Sequence, residues 1–133
     1  MIIDSSALIA ILKRESVWEA LSEALDASKS SKMSAASFLE TSIVVDGWRN
    51  PVLSREWDDL VERFSIRIEP VTESQARIAR LAYRDYGKGS GHPANLNFGD
   101  CFSYALAREK REPILYKGDD FVHTDLKSSL GQP

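Results

Sequence analysis

The chain opens with three apolar residues and an acid, Met1-Ile2-Ile3-Asp4. An apolar run without polar alternation reads as a strand buried on both faces, as in parallel sheets covered by helices on each side. Asp4 then falls at the strand's carboxyl end, and open parallel sheets gather their ligands beyond those ends, where the strand order switches. The run Ala7-Leu8-Ile9-Ala10-Ile11-Leu12 suggests a helix next, capped by Ser5-Ser6.

The same alternation of short strand and helix continues along the chain. Ser16 opens a helix with Val17, Trp18, Leu21 and Leu25 at helical spacing, and Lys32-Met33 reads as a very short strand. Ser34 caps a helix through Trp48 with Phe38, Leu39, Ile43 and Val44 as its apolar positions, and Asn50-Pro51 ends it. The next helix starts at Ser54 and keeps Trp57, Leu60, Val61 and Phe64 on one stripe. Ile66-Arg67-Ile68 alternates like a strand, and Thr72-Glu73-Ser74-Gln75 has the form of a capping box. The helix it opens carries Ala76, Ala79, Tyr83 and Tyr86 and stops at Gly87. A polar, Gly-rich loop over residues 87–97 precedes a helix from about Gly99 to Lys110, and Pro113-Ile114-Leu115-Tyr116 is the last clear strand, before Gly118-Asp119-Asp120. Strands separated by helices argue for an α/β sandwich around a parallel sheet.

Composition narrows the function classes. The 133 residues fit one domain, 1–133, with no internal repeat or long linker. A single Cys and two His exclude a disulfide framework and a Cys-rich zinc module. Seventeen Lys and Arg against twenty Asp and Glu give a net charge of −3, which argues against coating nucleic acid through bulk positive charge. The total leaves open an enzyme that reaches nucleic acid through metal ions. No secretion signal is visible, and the apolar run of residues 7–12 is too short to span a bilayer, so a cytoplasmic protein without a membrane contact is expected.

Four acidic positions stand out by context: Asp4 after the first strand, Glu40 within Ala35-Ala36-Ser37-Phe38-Leu39-Glu40-Thr41-Ser42-Ile43, Asp100 at a helix start, and Asp119-Asp120 after the last strand. Each also has an ordinary reading. Asp4 and Asp100 suit helix caps, Glu40 a sideways position on an imperfectly amphipathic helix, and Gly118-Asp119-Asp120 a plain turn. Crowded carboxylates repel one another, which raises some of their pKa values or demands a cation. Oxygen ligands without a His or Cys cluster suit Mg²⁺ or Mn²⁺ rather than zinc.

Read together, four segments resemble the PIN domain family, and more narrowly its VapC-like ribonuclease toxins of bacterial type II toxin–antitoxin systems. They are Ile2-Ile3-Asp4-Ser5-Ser6-Ala7-Leu8, then Ser34-Ala35-Ala36-Ser37-Phe38-Leu39-Glu40, then His92-Pro93-Ala94-Asn95-Leu96-Asn97-Phe98-Gly99-Asp100-Cys101-Phe102-Ser103-Tyr104-Ala105-Leu106-Ala107, and finally Ile114-Leu115-Tyr116-Lys117-Gly118-Asp119-Asp120-Phe121 with His123-Thr124-Asp125. The resemblance implies a three-layer α/β/α sandwich with a mainly parallel sheet and an acidic pocket for one or two divalent metals, Mg²⁺ or Mn²⁺. Asp4, Glu40 and Asp100 match the family's three core acids, and the fourth position is placed on Asp119, with Asp120 beside it. Ser6 matches a small hydroxyl position expected to hydrogen-bond within the pocket.

The implied activity is metal-assisted hydrolysis of RNA phosphodiesters. Asp4 and Asp100 hold the metal most directly, Glu40 and Asp119 through water or a second ion, and a metal-activated water attacks phosphorus. The implied partners are the RNA substrate, a VapB-like antitoxin that inhibits the enzyme, and a second copy in a homodimer, with a heterotetramer or larger assembly once antitoxin binds. DNA enters only indirectly, through the antitoxin. A non-catalytic PIN-like binding or regulatory protein is the alternative, against which the intact acid set counts. A phosphoryl-accepting receiver domain lacks its paired acids after the first strand.

Other residues invite function less strongly. Lys13, Arg14, Lys88 and Lys117 lie near the acidic segments and suit either phosphate positioning or plain surface charge. His92 is expected to make a loop hydrogen bond, His123 to pack locally, and Cys101 to be a buried apolar group. Gly87-Lys88-Gly89-Ser90-Gly91 lacks the order of a nucleotide-binding phosphate loop. Trp18, Trp48 and Trp57 fall on helices among apolar neighbours, which favours packing over base stacking.

Overall fold

The structure, a computed structural model, describes residues 1–131. Four strands, β1 (Ile2–Ile3), β2 (Lys32–Ser34), β3 (Arg67–Glu69) and β4 (Ile114–Leu115), form one sheet in the order β3-β2-β1-β4, and every pair is parallel. The helices are α1 (Ser5–Leu12), α2 (Trp18–Ala27), α3 (Ala35–Gly47), α4 (Pro51–Arg63), α5 (Glu73–Tyr86) and α6 (Phe98–Lys110).

Strands β1 and β4 are only two residues long, yet each residue serves a different core. Ile2 pairs with Ile114, and both face a cluster built with Ala82 of α5, Leu96, and Cys101, Tyr104, Leu106 and Ala107 of α6. Ile3 pairs with Leu115, and both face the opposite cluster, with Ala7, Leu8 and Ile11 of α1, Leu21 and Leu25 of α2, Val45 of α3 and Trp57 and Leu60 of α4. Side chains alternate across a strand, so consecutive apolar residues are what two covered faces require. The result is an α/β/α sandwich with α1–α4 against one face and α5 and α6 against the other. Among the described residues, no helix is long and apolar enough to cross a membrane.

Strand order fixes where the sheet can bind. The chain winds from β1 outward through β2 to β3, then returns to place β4 on the other side of β1. Connections leaving β1 and entering β4 therefore run in opposite directions, and the crevice between their carboxyl ends is the switch point.

Several helix starts differ from the sequence expectation. Asp4, not Ser5 or Ser6, caps α1, its carboxylate accepting from the Ser6 amide. Asn50-Pro51 begins α4 rather than closing α3: Asn50 accepts from the amides of Val52 and Leu53, and Pro51 takes the first-turn place where its missing N–H costs nothing. Thr72 caps α5 by accepting from the Gln75 amide, but the Gln75 side chain donates to Glu109 instead of closing the box. The reciprocal capping box lies at α6, between Asn97 and Asp100.

Helix α3 is turned relative to its apparent apolar face. Ser37, Thr41 and Val45 are its buried residues, while Leu39, Ile43 and Val44 are exposed. The small hydroxyl residues let α3 approach its neighbours closely and satisfy themselves locally, as Thr41 Oγ1 does by donating to the Ser37 carbonyl at 2.8 Å.

Candidate active site

Asp4 leaves β1 at the switch point and is 5% exposed. Its Oδ2 accepts from the Ser6 amide at 3.0 Å and from Ser6 Oγ at 2.6 Å, and its Oδ1 accepts from Ser103 Oγ at 2.6 Å. Ser6 Oγ in turn accepts from the Lys117 amide at 3.0 Å, which ties the end of β1 to the segment that leaves β4. One carboxylate thus caps α1, anchors the β4 exit and touches α6. The expected pocket hydrogen bond of Ser6 is present.

Glu40 sits on the outer side of α3, with its carboxylate against Gly99 at the start of α6. A side chain at position 99 would collide with that carboxylate, so the glycine is what lets Glu40 lie over the helix start. Ser5 Oγ lies 3.1 Å from Glu40 Oε1 and 3.3 Å from the Ser37 carbonyl, within donating range of both. Helix α3 therefore delivers Glu40 from its exposed face, and the residue does not carry the burial cost that its apolar sequence context suggests.

Asp100 is the most perturbed acid of the pocket. Burial is the largest cause that pushes its carboxyl up to about 7, and the charges of Asp4, Asp120 and Glu40 add to it against the lowering hydrogen bond from the Asn97 amide. Four acids from four places in the chain therefore feel one another at the crevice. Asp120 is also raised, by burial first and then by Asp4 and Asp119, and a hydrogen bond with Asp100 opposes the rise.

Of the adjacent pair, Asp120 feels the charge of Asp4 and adds its own to Asp100, and Asp119 acts through its charge on Asp120. Gly118, with φ of 103°, makes the turn that presents the pair.

The donor set is entirely oxygen and acidic, which suits a hard divalent cation, and mutual repulsion of the carboxylates gives such an ion something to offset. Among the described residues, no three His, Cys, Asp or Glu side chains are grouped so as to hold an ion by themselves.

The remaining candidates are mostly engaged elsewhere. The Lys13 ammonium lies 5.2 Å from the centre of the Trp48 ring, and the Arg14 guanidinium 4.2 Å from that of Trp18. Lys117 Nζ is 3.3 Å from Glu15, whereas Lys88 is exposed in the loop after α5. His92 Nδ1 accepts from the Ala94 amide at 3.1 Å while its ring packs edge-on against Tyr86, a local role as expected. His123 is exposed. Cys101 is buried, and burial followed by the Asp100 charge pushes its thiol up to about 11, so it is no nucleophile at neutral pH. Trp57 is buried, donates to Ser42 Oγ at 2.9 Å and packs on Phe38.

Sequence reasoning missed Ser5, Ser37 and Ser103. Ser37 Oγ and Ser103 Oγ are 3.2 Å apart, and both residues are buried. The available signal was their spacing: Ser37 stands three before Glu40 and Ser103 three after Asp100, one helical turn from each acid.

Comparison with known proteins accords with this geometry. The family model described as PIN domain matches residues 1–127. Ribonuclease VapC28 of Mycobacterium tuberculosis is 55% identical over 130 residues, covering 98% of this chain and 98% of that protein. Among solved structures, Mycobacterium tuberculosis VapC20, described as a sarcin-ricin loop cleaving toxin, matches with a TM-score of 0.74 at 16% identity, covering 99% of this chain and 98% of that one. A chain of a toxin-antitoxin complex from Klebsiella pneumoniae matches with a TM-score of 0.69 at 14% identity, covering 93% and 92%. At those identities the two structures speak for the fold.

Proposed function

The chain belongs to the PIN domain family, and from that premise we propose that it is a metal-dependent endoribonuclease, the toxin of a toxin–antitoxin pair. The observation that carries the reading is the meeting of Asp4, Glu40, Asp100 and Asp120 at the switch point, where burial and then the charges of the other three raise Asp100. Relatives that align over nearly the whole chain and bear the name ribonuclease support the substrate class.

Within this reading, Asp4 and Asp100 hold the cation most directly, and Glu40 and Asp120, with Asp119 beside it, act through water or a second ion. A bound Mg²⁺ or Mn²⁺ supplies an activated water at neutral pH and offsets charge on the departing oxygen of the phosphodiester. The protein's own part is placement: Ser6 and Ser103 fix Asp4, the Asn97 box fixes Asp100, and Ser5 steadies Glu40. Negative charge in the crevice does not bar RNA, because a cation held there reverses the local sign. A VapB-like antitoxin is the proposed inhibitor and a homodimer the proposed free state, enlarging to a heterotetramer or beyond in the complex. DNA contact is assigned to the antitoxin.

The test is cleavage of structured and unstructured RNA by the purified chain with Mg²⁺ or Mn²⁺, beside Asp4→Ala and Asp100→Ala. Metal-dependent cleavage lost in both variants supports the reading. Cleavage that survives in both, or that ignores chelator, refutes it. Adding Asp119→Ala and Asp120→Ala separates the neighbours, with the larger loss expected at Asp120.

A further inference from the structure

The buried hydroxyls beneath the pocket form an ordered chain whose direction can be deduced. A carboxylate only accepts, so Ser103 must spend its single hydrogen on Asp4 Oδ1, 2.6 Å away. In the 3.2 Å contact between Ser103 and Ser37, Ser37 is therefore the donor. Both serines are essentially without solvent contact, 0% and 1% exposed, so no water replaces either partner. Ser103 lies one turn beyond Asp100 on α6, so the helix that supplies one acid also grips the other.

A carboxylate offers about four lone-pair positions. On Asp4, Oδ2 accepts two hydrogen bonds, both from Ser6, and Oδ1 accepts one, from Ser103. We propose that Ser103 is a positioning residue for Asp4: with Ser6 it occupies three of those positions and leaves one, on Oδ1, to face a divalent cation. Asp4 is thereby held to a single-oxygen contact in a fixed direction. Without the Ser103 hydroxyl the carboxylate keeps its Ser6 anchor but is free to swing Oδ1 about it. The inference rests on the metal-dependent reading above, and it assigns a role to a residue that is not itself a ligand.

The experiment measures Mn²⁺ binding to the full chain by paramagnetic resonance, with circular dichroism as the check on folding. Asp4→Asn tests the metal reading, Ser103→Ala and Ser103→Cys test the proposal, and Ser37→Ala is the control. Ser103→Cys keeps the side chain's place and supplies only a weak donor, so it remains informative where Ser103→Ala folds poorly. Removal of such outer-shell partners weakens metal affinity about 10- to 100-fold, and that loss is expected in both Ser103 variants. Ser37→Ala disturbs the same buried network but spares the Asp4 contact, so its affinity stays within about threefold of wild type. Wild-type affinity in both Ser103 variants alongside loss in Asp4→Asn overturns the proposal alone. Equal weakening in Ser37→Ala reduces the effect to general loosening and also overturns it. Undiminished binding in Asp4→Asn overturns the metal reading, and the proposal with it.

Discussion

Asp4 and Asp100 each do two things with one carboxyl group. Asp4 caps α1 through Oδ2 and meets Ser103 through Oδ1, while Asp100 closes the α6 capping box through Oδ2. Cap and ligand are thus compatible roles, because each helix start donates to one oxygen and points the rest of the group at the crevice. At Asp100, burial and three neighbouring charges prevail over the hydrogen bond from the Asn97 amide. The stability consequence has a definite sign. Asp100 titrates near 3.8 when unfolded and at about 7 when folded, so from pH 4 to 7 the unfolded chain releases a proton that the folded one keeps. Stability attributed to this group is complete below the lower value and lost as pH rises through the upper one. In metal-free protein, Asp100→Asn keeps an acceptor for the Asn97 amide and removes the charge. Urea unfolding is expected to show this variant more stable than wild type above about pH 8, by on the order of 2–4 kcal/mol, with the gain vanishing toward pH 4. A gain that does not change with pH would mean that the charge is not its source.

Among the elements, α2 starts with the most strain. Val17 caps it at φ 63° with no side-chain hydrogen bond, and a β-branched residue in the left-handed region costs about 1–2 kcal/mol. The side chain is 55% exposed, so little packing offsets the strain. Val17→Asn tolerates that backbone and is expected to raise stability by about 1 kcal/mol in a denaturant melt, with RNA cleavage unchanged. The start of α2 also marks what the sequence could and could not convey. Among the described residues, spacing located the six helices and the four strands, because periodicity reports burial. Helix starts were less legible: Asn50-Pro51 fits an end and a beginning equally well until tertiary contacts decide. The rotation of α3 was hidden for a related reason. Leu39, Ile43 and Val44 look like core, yet close approach to α1 and α6 favours Ser37 and Thr41 on the inner face. Asp4, Glu40 and Asp100 stood out from context, whereas the serines needed the fold itself.

At the scale of the whole molecule, the sheet explains why acids so far apart in sequence must meet. Two-residue strands leave no length to separate strand ends from helix starts, so every group that leaves β1 or β4 at its carboxyl end enters the same crevice. Helices α3 and α6 pack against each other beside it and bring Glu40 and Asp100 to the same place. The fold therefore concentrates buried negative charge at one point and carries its desolvation, with mutual repulsion added, as lost stability, visible in the raised Asp100 and Asp120 carboxyls. A cation that binds only the folded state returns that free energy, and linkage sets the scale. At roughly a hundred times its Kd, a ligand adds about 2.7 kcal/mol. For a chain of this size, that corresponds to a rise in melting temperature of about 8–14 °C. Thermal melts of the wild type above pH 7 should therefore shift upward with Mg²⁺ or Mn²⁺ and return with chelator. The shift should shrink as pH falls through 7, because protons on Asp100 compete with the metal. Asp4→Asn should melt at the same temperature with and without the ion. Asp100→Asn should start higher and gain less, since the repulsion that the ion offsets has already been removed. A wild type whose melting temperature ignores both ions across this range would mean that the crowded carboxylates are stabilised by their hydrogen bonds alone.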